Sequence, residues 1–218
     1  MIKLLSTKIL SANNYQVIEK SGIIIDHYNA IDIEKIEFTF NSIIDNAIFT
    51  SKNAVEAVLS KKIKIKNCYC VGEKTKLLLL KNGQKVVKSE ENALKLAIFI
   101  VKSAKNDKFW FFCGNKKRDE LPKILTKNNI NFSTTEVYKT HLNYKKIDDK
   151  FNGILFFSPS AVQSYCHHNK IENETLFTIG KTTASEAETH SKKIITSKSN
   201  SIEQVIDNAI KYFTYDKK

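Results

Sequence analysis

Residues that break regular structure are scarce in this chain: 6 Gly and 2 Pro stand among 218 residues. Long linkers and disordered segments draw on both, so the sequence is expected to fold along its length. The strongly apolar runs, such as Ala97 to Val101 and Phe109 to Cys113, are far too short to span a bilayer. Met1 to Leu5 gives way at once to polar residues, without the apolar core or cleavage site of a signal peptide. It reads as the first strand of a cytoplasmic protein. The four cysteines, Cys68, Cys70, Cys113 and Cys166, show no C-x-x-C spacing and no disulfide framework. Joining Cys166-His167-His168 to Cys68 and Cys70 as zinc ligands matches no standard spacing. In apolar strands a reduced Cys behaves as a small hydrophobe, which is the simpler reading. There is no G-x-x-x-x-G-K-[ST] loop, no G-x-G-x-x-G fingerprint and no G-x-S-x-G elbow. His141, His167 and His168 have no acid partner at a meaningful spacing, and His27 and His190 lie at strand or helix ends. Any chemistry must therefore use hydroxyls, backbone N–H groups and positive charge, without an evident nucleophile or metal.

What is present is a core and a charge imbalance. Apolar residues make up 42%, ordinary for a folded domain, and the net charge is +12. The charge is unevenly spread. Residues 38–142 hold 20 Lys and Arg against 9 Asp and Glu, while the rest of the chain is near neutral. Such a segment suits a polyanionic ligand, either nucleic acid or a multiply carboxylated or phosphorylated small molecule. Part of that excess is simply a solvated Lys-rich surface.

The chain repeats itself. Phe49-Thr50-Ser51-Lys52-Asn53-Ala54-Val55 aligns with Phe156-Phe157-Ser158-Pro159-Ser160-Ala161-Val162 at an offset of 107. Val71-Gly72-Glu73-Lys74-Thr75 aligns with Ile179-Gly180-Lys181-Thr182-Thr183 at 108, and Asn92 with Asn200. Cys113 corresponds to Ser6 at 107. A period this long means duplicated domains rather than a solenoid.

Strand and helix patterns alternate, which predicts parallel α/β architecture. Ser11 is placed to cap a helix ending near Gly22. A helix over 91–104 is expected to turn Leu94, Ala97, Ile98 and Val101 inward, and one over 116–127 to turn Leu121, Ile124 and Leu125 inward. The stretches 31–40 and 132–144 read as paired extended crossovers. The fold expected is thus two similar parallel-sheet α/β domains joined by a two-stranded β ladder. Residues 38–142 form one contiguous basic domain, and 1–37 with 143–218 form the other.

Each copy offers a hydroxyl at the carboxyl end of a strand (Ser51, Ser158) and a G-x-x-T turn (Gly72 to Thr75, Gly180 to Thr183). Gly114-Asn115 leads a third turn into Lys116-Lys117-Arg118. Ligands of open α/β sheets lie beyond the carboxyl ends of the strands, so these turns are expected to line a cleft between two domains. A single Ser or Thr at a helix start is usually a cap and nothing more. Repetition of several such turns favours binding. The candidates are Ser51, Lys52, Gly72, Thr75, Gly114, Asn115, Lys117, Arg118, Ser158, Ser160, Gly180, Thr182 and Thr183.

These pieces, with Leu121-Pro122 and Val137-Tyr138-Lys139-Thr140, resemble the uroporphyrinogen-III synthase family in order and spacing from about 48 to 184. Lys52 stands where the family usually has proline, and Lys76 where a small residue is common. The resemblance implies that no cofactor is used; a monomer is expected. It implies closure of the linear tetrapyrrole hydroxymethylbilane to uroporphyrinogen III, with loss of water and inversion of the last pyrrole ring. It brings forward Tyr138 as the group that assists loss of the hydroxyl. A non-catalytic two-domain sensor and a basic nucleic-acid-binding protein share the same features. Against the latter, the Phe109-Trp110-Phe111-Phe112 run reads as core rather than as a stacking platform.

Overall fold

A computed structural model describes residues 1–40 and 43–215. In chain order the elements begin β1 (Lys3–Ser6), α1 (Ala12–Lys20), β2 (Ile24–His27), β3 (Ile31–Lys35), β4 (Ile44–Phe49), α2 (Lys52–Leu59) and β5 (Ile65–Val71). They continue with α3 (Glu73–Lys81), β6 (Val86–Glu90), α4 (Ala93–Ser103), β7 (Lys108–Gly114), α5 (Glu120–Lys127) and β8 (Asn131–Leu142). The last are β9 (Gly153–Phe156), α6 (Pro159–Cys166), β10 (Thr175–Thr178), α7 (Lys181–Ala187), β11 (Ile194–Thr196) and α8 (Ile202–Thr214). No helix among the described residues is long and apolar enough to cross a membrane.

Contacts divide the chain into two units, Met1–Asp32 with His141–Lys218, and Ile33–Thr140. The chain passes from one to the other inside β3 and inside β8, a few residues from the breaks expected after 37 and 142. Residues 41–42 and 216–218, which the expected domains include, lie outside the described residues.

The first unit has one sheet in the order β11-β10-β9-β1-β2, parallel throughout. Successive residues of a strand face opposite sides. Leu5, Ile154, Phe156 and Leu176 therefore pack with residues of α6 and α7 in one cluster. Leu4, Leu155 and Phe177 join α1 and α8 in another. Both faces are covered, which is why the strands read as unbroken apolar runs. Ser11 caps α1 by accepting from Asn14 N at 3.3 Å. Ser201 caps α8, whose Val205, Ile206 and Ala209 are buried.

The second unit has the order β3-β8-β7-β4-β5-β6. The pairs from β8 to β6 are parallel. Phe49, Cys68, Cys70 and Phe112 pack with α2 and Leu79. Ile48, Tyr69, Phe109 and Phe111 pack with α4 and α5. The aromatic run of β7 is core, with Phe109, Phe111 and Phe112 all buried. Each such ring contributes about 1.5–3 kcal/mol by burial.

Three local expectations are corrected. The inward stripe of α4 is Leu96, Ala97 and Ile100, while Leu94 and Ile98 are exposed. The segment is apolar nearly all round, so two stripes of helical spacing fit it equally and only packing chooses. The fifth helix begins at Glu120 rather than 116, because residues 115–119 form a turn in which Lys117 N donates to Gly114 O at 3.1 Å. The third strand stops at Lys35. Phe38 and Phe40 beyond it lie as irregular chain over Phe112 and Trp110.

Candidate active site

In the second unit the chain winds outward through β4, β5 and β6, then crosses back with α4 to place β7 on the other side of β4. Connections leave β4 and β7 in opposite directions, which makes their carboxyl ends a topological switch point, the place where open α/β sheets bind ligands. Ser51 follows β4, and Gly114 ends β7. Ser51 is the N-cap of α2, its hydroxyl accepting from Asn53 N at 3.2 Å.

Tyr138 reaches this switch point from β8. Register along β7 and β8 pairs Cys113 with Glu136 but Gly114 with Tyr138, so Val137 is an extra residue. Such a bulge re-aims the side chains beside it. Val137 and Tyr138, which would otherwise point to opposite faces, both pack on the cluster around Phe112. The phenol is directed over β7 toward Ser51, the N-cap that follows β4. Strands are about 4.8 Å apart, so the ring must pass directly over the residue between them. That residue is Gly114. A Cβ there would stand 2.5 Å from Tyr138 Cε2 and 2.9 Å from the phenol oxygen. Burial pushes the Tyr138 phenol above its ordinary 10.0, and the neighbouring Ser51 hydroxyl pulls it back in part. The group is a neutral hydrogen-bond donor at any physiological pH.

The other candidates of this unit are placed as follows. Asn115 ties the turn to β8, its N donating to Tyr138 O at 3.3 Å and its Oδ1 accepting from Thr140 N at 2.8 Å. Lys117 pairs with Glu136 at 3.2 Å, and that hydrogen bond raises its pKa. Its charge is already answered, and nothing in the spacing of 117 and 136 announced the pair. Lys52 and Arg118 are exposed. Gly72 stands at the N-cap of α3 with φ +84°, a left-handed angle that favours glycine. Thr75, one turn on, is buried.

In the first unit the corresponding switch point lies between β1 and β9. Ser158 caps α6 by accepting from Ala161 N at 3.1 Å, and Ser160 is half-buried beside it. Thr7 follows β1 and donates its hydroxyl to Leu155 O at 2.7 Å. At an offset of 107, Thr7 is the counterpart of Gly114. Where the second unit leaves a gap for a phenol, the first fills it with a threonine. Gly180 precedes α7, Thr182 is exposed and Thr183 is buried. Thr7, Glu136 and Asn200, which lies against Gly180, are not among the candidates drawn from the sequence. Alignment of the two copies was the available signal for Thr7 and Asn200.

A cavity of about 620 Å³ lies elsewhere in the first unit, beside β2 and the segment 145–151. It takes in none of the candidate turns. Tyr28 lines it and is pushed up to about 12 by burial, its hydroxyl without a partner among the described residues. No group of three or more His, Cys, Asp or Glu among the described residues is placed to hold a metal ion.

Comparison with known proteins adds independent findings. The family model described as uroporphyrinogen-III synthase HemD matches residues 14–207. A solved uroporphyrinogen-III synthetase from Helicobacter pylori is 18% identical, covers 96% of this chain and 99% of its own, and has a TM-score of 0.71. A mutant uroporphyrinogen III synthase from Thermus thermophilus covers 100% of both chains at 10% identity, with a TM-score of 0.73. The wild-type Thermus thermophilus protein covers 99% of both at 10% identity, with a TM-score of 0.57. Identities this low speak to the fold alone. No curated protein matches the chain.

Proposed function

As the chain belongs to the uroporphyrinogen-III synthase family, we propose how its own residues carry that family's reaction. The enzyme closes hydroxymethylbilane to uroporphyrinogen III, with loss of water and inversion of the last ring. Loss of the hydroxyl leaves a cation that the pyrrole itself stabilises, so only modest acid assistance is needed. Tyr138 supplies it by donating a hydrogen bond to the departing hydroxyl. The Ser51 hydroxyl neighbours the phenol, and Gly114 gives it passage. The observation that carries this reading is the course of the Tyr138 ring over Gly114 to Ser51. An alternative in which Tyr138 is ordinary packing gives no reason for a bulge and a glycine to meet at one ring.

The substrate carries carboxylates on every ring. The excess of Lys and Arg in 38–142 and the half-buried or exposed turn residues Ser158, Ser160 and Thr182 are suited to them. Holding the last ring for attack at its substituted carbon is the harder task, and orientation within the site provides it. Action as a cytoplasmic monomer, without a specific nucleic-acid partner, belongs to the same reading.

The two sheets support descent from a duplication. At the repeat offset, β6, β5, β4, β7 and β8 answer to β11, β10, β9, β1 and β2, and both sheets carry these strands in the same spatial order. Each copy therefore gives its first two strands to the other unit. The neighbouring strands β3 and β8 are the two through which the chain passes, which suits a two-stranded ladder.

Incubation of hydroxymethylbilane with the protein alone tests the function. The type III isomer should form faster than spontaneous closure yields type I, by chromatography of the oxidised products. Type I alone would overturn the reading.

A further inference from the structure

The two copies part company at one capping position. Asn92 caps α4, its side chain accepting from Lys95 N at 2.9 Å. Its counterpart at the offset of 108 is Asn200, but there the cap has moved on by one residue. Ser201 accepts from Gln204 N at 3.1 Å, and α8 starts at Ile202. Asn200 is thereby released from the helix. It is exposed, and its carboxamide has no protein hydrogen-bond partner among the described residues.

The released side chain has a built seat. A Cβ on Gly180 would overlap Asn200 Oδ1 and stand 3.3 Å from its Cγ. Gly180 has φ 178°, extended backbone open to any residue, so its backbone angle does not call for glycine. Gly72, the counterpart in the other copy, is the reverse case, with φ +84° and nothing within 4 Å of a Cβ. Gly180 is thus a glycine kept for space, and Asn200 fills the space. The amide oxygen faces Gly180, while Nδ2 would be 3.9 Å from the same Cβ and is the outer atom. Two N–H donors are therefore presented at the carboxyl ends of β10 and β11, the side of a parallel sheet where ligands bind.

We propose that Asn200 is a further substrate-binding residue, its carboxamide N–H donating to a carboxylate of the tetrapyrrole, with Gly180 as the vacancy that positions it. This rests on the synthase reading. A neutral amide suits the role, because it recognises a carboxylate without bringing a charge that must be desolvated.

The test is steady-state kinetics on hydroxymethylbilane with thermal unfolding of the same full-length samples. Asn200→Ala should raise KM about tenfold, the scale of one hydrogen bond to a charged group, and leave the melting temperature unchanged because Ser201 keeps the cap. Asn200→Asp should be worse than Asn200→Ala, since a carboxylate repels the carboxylate it replaces a donor for. Gly180→Ala should reproduce Asn200→Ala, and the Gly180→Ala, Asn200→Ala double variant should be no worse than either. A wild-type KM in Asn200→Ala, an Asp variant as good as the Ala variant, or additive losses in the double variant would each overturn the proposal. In all three cases wild-type protein still makes type III product. Failure of the wild type to do so would instead remove the synthase reading beneath it.

Discussion

Gly114→Ala is the most informative single methyl group in this protein. The new Cβ would lie 2.5 Å from Tyr138 Cε2 and 2.9 Å from the phenol oxygen. Carbon atoms in ordinary contact are about 3.5–4.0 Å apart, so the ring must retreat by about 1 Å or more. Misplacing a reacting group by that distance costs on the order of a hundredfold in rate. The phenol is also displaced relative to the Ser51 hydroxyl. Overpacking of this kind costs about 1–3 kcal/mol of stability. The backbone at 114 is not left-handed, so the whole penalty comes from the ring. Turnover with isomer analysis and the thermal unfolding midpoint are the two readouts. The control is Gly114→Ala in a Tyr138→Ala background, where the clash is gone and the extra methyl should cost no further stability. Two results refute the reasoning. One is a Gly114→Ala protein with full rate and midpoint. The other is a stability loss that persists unchanged without the ring, which would give Gly114 a backbone role.

Other expectations follow from the same geometry. Tyr138→Phe should lower the rate by roughly ten- to a hundredfold, as for an assisting acid, without changing which isomer forms; an unchanged rate would make the ring structural. Burial raises Cys68 to about 12, Cys113 to about 11 and Tyr28 to about 12, against 9.0 for a thiol and 10.0 for a phenol. The folded state therefore holds these protons more tightly than the unfolded chain, so their contribution is complete below pH 9 and is lost as pH climbs through 11 to 12. Melting temperature against pH should fall over that window, and a Cys113→Ala profile should fall less; a rise with pH would contradict the burial. A fragment of residues 33–140 should unfold cooperatively, whereas 1–107 should not, because it lacks β7 and β8 of one sheet and β9 to β11 of the other. A folded 1–107 with an unfolded 33–140 would sink the division into units.

Periodicity and turn chemistry carried the sequence a long way. Alternation of apolar runs and caps located nearly every strand and helix, because Ser11, Ser51 and Ser158 each start a helix by bonding a backbone N–H within the next three residues. Two kinds of feature were hidden. The inward face of α4 depended on which of two equivalent stripes found a partner. The bulge at Val137 depended on register with β7, a strand more than 20 residues earlier, and no local pattern encodes a long-range slip. Without the bulge, Tyr138 would point away from Val137's face, and the spacing of 137 and 138 would suggest that it does.

The repeat itself invited a false symmetry, since matching turns in two copies suggest matching work. The glycines show otherwise. Position 114 is glycine in the second copy, and its counterpart is Thr7, whose hydroxyl ties back to Leu155 O at 2.7 Å. Positions 72 and 180 are both glycine, yet one answers a left-handed backbone and the other a neighbouring side chain. Each unit has therefore kept a Cβ-free position at the carboxyl end of its sheet, at a different place, and filled it with a different group: a phenol in one, a carboxamide in the other. A phenol is the better hydrogen-bond donor to a leaving hydroxyl, and a carboxamide the better fixed donor to a carboxylate. The proposed roles give one unit the reacting carbon and the other the carboxylate side chains. The division predicts a separation in kinetics: changes at Gly114 and Tyr138 should act on kcat, and changes at Gly180 and Asn200 on KM. If all four moved the same constant in proportion, the two gaps would be parts of one general packing scheme and the assignment of separate roles would fail.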